Sequence, residues 1–326
     1  MPTDDYQTMS LSKTINMLES IAMEKTRPEF FKIQDFHLRK TRVNLHKLDS
    51  LQSKDQYVSL SLKLLRESGT VTALLAFAHP LDNMNRPRNW TRDEAILCGL
   101  MVRLLKLQLG VVDAIRQRKM EIEHILMRCL AETAINLRYL LLKGRQSKEI
   151  YEGYIQYSLH EEQRLLDMID KSIKARGQEL PIERQMRGSI LKSFEDSGFT
   201  PNSLDTKWQR GWSGNLFDRA RATGMEDAYL GIFGLPSHAV HGNWQDLLLY
   251  HVERCGDEFI PRDGWAEPEP EFALTAVFLT CKSCEDYLNI ILPECDDRNK
   301  ISGVIKDLIG RTLLVIQIWQ RFSEKH

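Results

Sequence analysis

Apolar positions recur with helical spacing along most of this 326-residue chain. Thr91-Arg92-Asp93-Glu94 has the form of a capping box, which predicts a long helix beginning directly after Thr91. The apolar residues that follow are three and four apart, so they share one face of that helix. They are Ile96, Leu97, Leu100, Met101, Leu104 and Leu105.

Further helices are predicted from the same spacing, with glycine or proline at their ends. The next one, about Lys119 to Lys143, is expected to end at Gly144 as a left-handed cap. Its apolar stripe is Ile122, Leu126, Cys129, Thr133, Leu137 and Leu140. The remaining predicted helices are 147–176 before Gly177, one from Pro181 to Gly198, 215–223 before Gly224, 225–233, 271–292 and 297–323.

No strand pattern is strong, so the predicted fold class is all-α with a bundle-like arrangement of helices. Residues 200–214, with Trp208 and Trp212, are expected to form an ordered loop, and 258–271 an irregular stretch. Residues 242–252 suit a helix or one short strand. We expect an N-terminal helical region over 1–90, with an apolar stripe of Leu11, Ile15, Leu18 and Ala22, and a main domain over 91–326.

Charge and composition narrow the class of protein. A formal net charge of −1 argues against a sequence-nonspecific nucleic-acid binder, although a local basic groove fits within it. The most apolar segment, Ala95 to Val112, contains Arg103 and Lys106, which favours a buried amphipathic helix over a membrane span. The acidic start of the chain does not resemble a secretory signal. Six scattered cysteines are typical of reduced thiols, and the expected location is the cytoplasm.

Polar residues follow one flank of the predicted helix 119–143. His124, Arg128, Glu132 and Asn136 are spaced by four, which places them on successive turns. Glu132 and Asn136 border the apolar stripe, so they are candidates to line a cavity between helices, with Arg128 paired to Glu132. The alternative is a solvated flank carrying one intrahelical ion pair, worth a few tenths of a kcal/mol.

Metal sites receive little support. Glu121-x-x-His124 is a single Glu-x-x-His motif, whereas a di-iron bundle needs two such motifs and two further glutamates. Cys281 and Cys284 lie three apart in an apolar helical run, and with Cys255 and Cys295 they offer four thiols at irregular spacings. We therefore expect no metal and no other cofactor.

The segment Pro236 to Trp244 places two histidines beside a serine and before a glycine. An imidazole exchanges a proton near neutral pH, so His238 and His241 suit phosphodiester or acyl chemistry. On a helix, Ser237 and His241 are neighbours. The alternative is a structural, hydrogen-bonded histidine at a helix end formed by Gly242. Our candidate catalytic residues are His241, Ser237, Arg128 and Glu132, and our candidate substrate-binding residues are Asn136, His238 and Asn243.

These motifs resemble an uncharacterised bacterial helical domain family of unknown function. Its members carry an Arg-x-x-x-Glu helix, here Arg128 to Glu132, and a Ser-x-x-x-His-Gly element, here Ser237 to Gly242. Further residues of the resemblance are Asn136 to Leu141, Trp212 to Gly214, Phe217 to Ala220 and Tyr229. The resemblance covers roughly residues 95 to 292.

That family is similar in outline to HEPN domains, helical modules that often act as ribonucleases in toxin–antitoxin and phage-defence systems. The resemblance implies RNA or a protein as the partner, a homodimer, no membrane, and metal-independent cleavage of RNA. HEPN nucleases carry an Arg-x(4–6)-His element, with the histidine as general base or acid and the arginine stabilising the phosphorane. His241 fits the histidine position, but residues 233–236 hold no arginine. Arg128 is the candidate replacement, and the alternative function is a non-catalytic scaffold or a protein- or nucleotide-binding module.

Overall fold

The computed structural model describes residues 38–45, 48, 50–82, 84, 86–292 and 294–325. The predicted apolar stripe from Leu11 to Ala22 lies outside these residues. Within the described part the fold is all-α, apart from one two-stranded hairpin and an isolated bridge. The long helices are α1 (Lys54–Ala76), α2 (Arg92–Arg116), α3 (Met120–Gly144), α4 (Glu149–Arg176) and α5 (Pro181–Ser197). They are followed by α6 (Leu216–Ala222), α7 (Glu226–His241), α8 (Trp244–Asp246), α9 (Pro270–Ile291) and α10 (Asp296–Ser323).

Most of the predicted helix ends are confirmed. Thr91 and Glu94 form the complete capping box of α2. Gly177 and Gly198 end α4 and α5 with left-handed φ angles of 75° and 76°, which glycine adopts without steric cost. Pro181 is the first residue of α5, where the missing N–H removes no helical hydrogen bond.

Gly144 differs from its predicted role as a left-handed cap. The helix α3 runs through Gly144 and ends at Arg145, which has a right-handed conformation. A Cβ atom built on Gly144 would come within 2.1 Å of the Tyr151 hydroxyl. The Tyr151 hydroxyl donates to the carbonyl of Leu140 at 3.2 Å. Glycine is therefore needed here for the close approach of Tyr151 and not for its φ angle.

The region after residue 225 is more regular than predicted. The predicted helix 225–233 continues to His241, with Pro236 inside it, and Gly242 ends it with a φ of 54°. Proline removes one helical hydrogen bond, and the packing of α7 against α3 offsets the free energy that this loss costs. The stretch predicted to be irregular contains β2 (Glu258–Pro261), which pairs antiparallel with β1 (Val252–Cys255). The register is Val252 with Pro261, Glu253 with Ile260, Arg254 with Phe259 and Cys255 with Glu258.

One hydrophobic core joins most of the described helices. The helix α1 packs against α2, α9 and α10, and α3 packs against α2, α7 and α9. A buried ion pair between Glu67 and Arg311, with N–O distances of 2.6 and 2.9 Å, connects α1 to α10. The predicted boundary near residue 90 falls in the irregular connection between α1 and α2, and the division into two regions stays a prediction.

The hairpin of α4 and α5 has a smaller core of its own. It consists of Leu159, Leu166, Ile169, Ile190 and Phe194. The first half of α4 packs instead near the loop 200–214, where Trp208 lies against Gly153. The first half of α4 therefore packs with the main core, and its second half packs with α5 in the smaller core.

The helix α2 is long and apolar enough to cross a membrane, with a mean hydropathy of 1.9 over its best window. Core helices pass the same test of length and composition. In this structure α2 packs against α1 and α3, and 44% of that window is buried. Arg103 in α2 donates from Nε to the hydroxyl of Thr133 in α3 at 3.1 Å. These contacts agree with the predicted amphipathic packing helix.

Candidate functional site

The helix α3 carries most of the candidate site and is surrounded by other helices. The predicted stripe is correct for Thr133, Leu137 and Leu140, which are buried. It is wrong for Ile122, which is exposed, and only partly correct for Leu126 and Cys129. Because α2, α7 and α9 all pack on α3, its buried surface is much wider than one stripe.

The residues Arg128 and Glu132 form the predicted pair. Arg128 donates from Nη1 to Glu132 Oε2 at 3.2 Å, and their side chains are 21% and 48% exposed. Asn136 lies one turn further along, and its Oδ1 is buried without a hydrogen-bond partner among the described residues. A buried carbonyl oxygen without a donor costs free energy that a ligand donor can recover. Along this flank of α3, the Arg128–Glu132 pair is therefore partly exposed to solvent, and Asn136 places an unpaired polar atom in the interior.

Two further arginines lie near this part of α3, Arg219 close to Glu132 and Arg103 close to Tyr154. Arg103, Glu132 and Arg219 all act electrostatically on the hydroxyl of Tyr154, whose pKa is raised mainly by burial. Burial lowers the pKa of the Arg219 guanidinium, and Glu132 is the strongest group opposing that change. Glu132 therefore interacts with two guanidinium groups, by a hydrogen bond with Arg128 and electrostatically with Arg219, while Arg103 lies near Tyr154. Asp218, beside Arg219, is engaged in the capping box of α6.

An aromatic cluster holds Arg219 in place. Its guanidinium stacks over the Trp212 ring at 4.7 Å, a cation–π contact, and donates to the Gly214 carbonyl at 2.7 Å. Trp212 contacts the rings of Tyr139 and Tyr154 edge-on, at 5.6 and 5.0 Å. Trp212 was expected in the ordered loop and in the resemblance, and Arg219 lies in the Phe217 to Ala220 segment of that resemblance, but neither Arg103 nor Arg219 was a predicted site residue. No spacing rule connects these arginines to α3, since they come from α2 and α6.

The helix α7 runs antiparallel to α3. Its start follows α6, which lies beside Glu132 and Tyr139, and the segment after its end brings Asp246 near His124. The histidine-bearing end of α7 therefore points toward the start of α3, with Arg128 one turn from His124.

The residues of the Ser-x-x-x-His element lie in the last turns of α7 and just after it. His241 is exposed at the end of the helix. Ser237 and His238 belong to α7, but their side chains are outside the described part of the structure. Asn243 caps the short helix α8, since its Oδ1 accepts from the backbone N–H of Asp246 at 3.1 Å. This cap gives Asn243 a structural reason to be present, and its predicted contact with substrate stays a prediction.

A buried polar cluster lies at the start of α3. Glu121, Glu123 and His124 are 6%, 0% and 1% exposed. Glu121 accepts from the backbone N–H of Ala266 at 3.3 Å. Both carboxylate oxygens of Glu123 and both ring nitrogens of His124 are without hydrogen-bond partners among the described residues. Such groups carry a large desolvation cost when charged.

Burial sets the ionisation of this cluster. It raises the pKa of Glu123 to about 8, with a further increase from the charge of Glu269. It lowers the pKa of His124 to about 4, against the opposing charge of Asp246. Both side chains are therefore mainly neutral at pH 7. The His124 ring packs against Phe272 at 4.5 Å and Tyr250 at 5.8 Å, so it behaves as part of the apolar interior.

The Glu121-x-x-His124 spacing was the only sequence signal for this cluster. In the part of the chain that the structure describes, no group of three or more histidine, cysteine, aspartate or glutamate side chains has an arrangement that could hold a metal ion. Cys281 and Cys284 are buried in α9, where burial raises the pKa of the Cys284 thiol to about 12, while Cys255 and Cys295 are exposed. The four thiols are therefore separated between core and surface.

Comparison with known proteins gives one match. A family model described as a family of unknown function (DUF5677) matches residues 94–259. This range begins in α2 and ends in β2. It includes Arg128, Glu132 and Arg219, the buried residues at the start of α3, and the Ser-x-x-x-His element. No curated protein and no solved structure matches the chain.

Proposed function

The chain belongs to the family of unknown function DUF5677, and we propose that it acts in the cytoplasm as a HEPN-like, metal-independent endoribonuclease of a bacterial defence or toxin system. The observation that carries this proposal is the packing of α7, the helix that ends in His241, against α3, the helix that carries Arg128 and Glu132. Guanidinium groups bind phosphate oxygens well, and an imidazole transfers protons near neutral pH. RNA supplies a phosphodiester and an adjacent 2′-hydroxyl, which is the nucleophile this chemistry needs.

The proposed reaction is an internal transfer. The 2′-hydroxyl loses its proton, its oxygen bonds to phosphorus, and the bond from phosphorus to the 5′ oxygen breaks as that oxygen gains a proton. The products are a 2′,3′-cyclic phosphate and a 5′-hydroxyl end. His241 serves as an acid–base group, and Ser237, one turn earlier on α7, is its proposed neighbour. Arg128 leaves its pairing with Glu132 to bind the phosphorane oxygens, while Asn136 binds the nucleotide.

Arg128 is the proposed substitute for the arginine missing from residues 233–236. Its pairing with Glu132 is partly exposed, and such pairs contribute at most about 1 kcal/mol, so an incoming phosphate can replace the carboxylate. Arg219 is held in place by its stacking on Trp212. Arg219 therefore contributes a fixed positive charge, and Arg128 makes the direct contact.

A non-catalytic protein-binding module is the second candidate. It is favoured by apolar side chains exposed around α8 and the β-hairpin, in a region where the described chain offers no cover. They are Val240, Trp244, Leu248, Leu249, Phe259 and Ile260. On this alternative the arginines serve to hold α2, α3 and α6 together, and substitution of His241 changes no activity.

The test is cleavage of a fluorescent single-stranded RNA by wild type, His241→Ala and Arg128→Ala. We expect each substitution to lower the rate by about 10²-fold or more, with cyclic-phosphate ends on the wild-type products. Arg164→Ala is the matched control, since Arg164 pairs with Glu161 on the exposed surface of α4. Its cleavage rate and the melting temperatures of all variants should stay at the wild-type values. Equal rates in all four proteins, or no cleavage by wild type, contradict the proposal.

A further inference from the structure

A turn of π-helix follows α8. It spans Leu247–His251, and the backbone N–H of Val252 donates to the carbonyl of Leu247, five residues earlier. In an α-helix, residues five apart differ by about 140° in direction. A π turn closes its hydrogen bonds at that spacing, so residues five apart return to the same side. This turn therefore brings His251 back over Asp246.

Asp246 and His251 are in contact. The Nε2 atom of His251 lies 3.3 Å from Asp246 Oδ2, with side-chain exposures of 45% for the histidine and 5% for the aspartate. The Oδ1 of Asp246 is buried and has no hydrogen-bond partner among the described residues. A buried carboxylate thus lies behind a half-exposed imidazole. Contacts of this kind are often long in unliganded enzymes and shorten when substrate binds.

The position of the Asp246 carboxylate determines which tautomer of the His251 ring is expected. A carboxylate beside Nε2 favours the tautomer that carries its proton there, which leaves the lone pair of Nδ1 for a substrate. π turns are found frequently at functional sites. The pair is invisible in the sequence, because helical spacing rules connect residues three and four apart and not five.

Two further titratable groups, His124 and Tyr250, lie near Asp246. His124 lies near Asp246 but is held neutral, because burial lowers the pKa of its ring to about 4. Burial also raises the pKa of Tyr250, with added effects from Asp246, Glu121 and Glu269. From the hairpin, the backbone N–H of Arg262 donates to the carbonyl of His251 at 2.9 Å, which fixes the end of the turn.

We propose that Asp246 and His251 form the proton-transfer pair of this protein, with His251 as the general base and Asp246 as its positioning residue. The identity of the substrate rests on the proposed function: the group that loses a proton to His251 is the ribose 2′-hydroxyl of RNA. Nδ1 of His251 takes its proton as the 2′ oxygen bonds to phosphorus. His241, ten residues earlier, gives a proton to the departing 5′ oxygen. The two histidines then exchange protons with water and return to their starting states.

Two measurements test this inference. The first is the nitrogen NMR spectrum of the His251 ring, recorded at high pH, where imidazoles are neutral. A neutral histidine in water already favours the Nε2–H tautomer, so we expect this form to be strengthened beyond that ratio in wild type and to fall back toward it in Asp246→Asn. Asp257→Asn is the matched control, since Asp257 is a fully exposed carboxylate on the turn of the same hairpin. It should leave the tautomer unchanged.

The second measurement is RNA cleavage by the same proteins and by His251→Gln. Both His251→Gln and Asp246→Asn should lower kcat/KM by about 10²-fold or more, while Asp257→Asn keeps the wild-type value. A tautomer that does not respond to Asp246→Asn overturns the pair, whatever the cleavage result. Wild-type cleavage by His251→Gln overturns its role as base and leaves the proposed function standing. A wild type that shows the tautomer preference but cleaves no RNA overturns the proposed function, while the Asp246–His251 contact stands.

Discussion

The most accessible consequence of the structure concerns Glu123, a carboxyl group with no exposed surface and no hydrogen-bond partner among the described residues. Burial raises its pKa from 4.5 to about 8, and the charge of Glu269, itself paired with Lys54, adds to that increase. Glu123 is therefore a neutral acid at pH 7. Replacing it with glutamine keeps the shape and polarity and removes only the ionisation.

The sign of the effect follows from proton binding. Between pH 4.5 and about 8 the folded protein holds a proton on Glu123 that the unfolded chain has lost. The free energy of unfolding of wild type therefore falls as pH rises through this range, by about 3–5 kcal/mol in total at 1.36 kcal/mol per pKa unit. Glu123→Gln lacks this contribution. Its stability relative to wild type should increase by the same amount from pH 4.5 to pH 9.

The assay is urea unfolding followed by circular dichroism at several pH values between 4.5 and 9. The quantity to compare is the difference in free energy of unfolding between wild type and Glu123→Gln, because the titration of groups that both proteins share cancels in this difference. Glu161→Gln is the control because Glu161 forms only an exposed ion pair, worth less than about 1 kcal/mol. A difference between Glu123→Gln and wild type that is constant over this pH range would refute the reasoning, because Glu123 would then ionise as an exposed carboxyl does.

Two further predictions concern His124 and the buried ion pair of α1 and α10. Burial lowers the pKa of His124 from 6.5 to about 4, so wild type should lose about 3 kcal/mol as pH falls through this range, and His124→Phe should lose correspondingly less in urea unfolding. A similar acid loss in both proteins counts against a neutral, buried ring. Glu67→Leu should lower the free energy of unfolding at pH 7 by at most about 3–5 kcal/mol, because the buried Arg311 guanidinium loses its buried carboxylate and keeps the partly exposed Asp307. Adding Arg311→Leu should recover part of that loss in a double-mutant cycle, and strictly additive losses would show that the two side chains do not interact.

The candidate site was only partly predictable. The Arg128–Glu132 pair follows from spacing, since residues four apart on a helix are neighbours. Its surroundings do not follow from spacing, because Arg219 reaches Glu132 from a different helix, α6. The burial of Glu123 and His124 was also invisible to an amphipathic pattern, which assumes that a helix has one apolar face. In α3 that assumption fails, as neighbours pack on several sides.

The sequence by itself determined the all-α class and most helix ends, because these depend on interactions between residues close along the chain. The capping box at Thr91 and the left-handed glycines at 177 and 198 are local in this sense. Only the tertiary structure decided that Gly144 makes room for Tyr151. It also decided that α7 continues to His241 and that a π turn brings His251 to Asp246. These features depend on packing between distant segments, and packing sets burial, charge environment and reactivity.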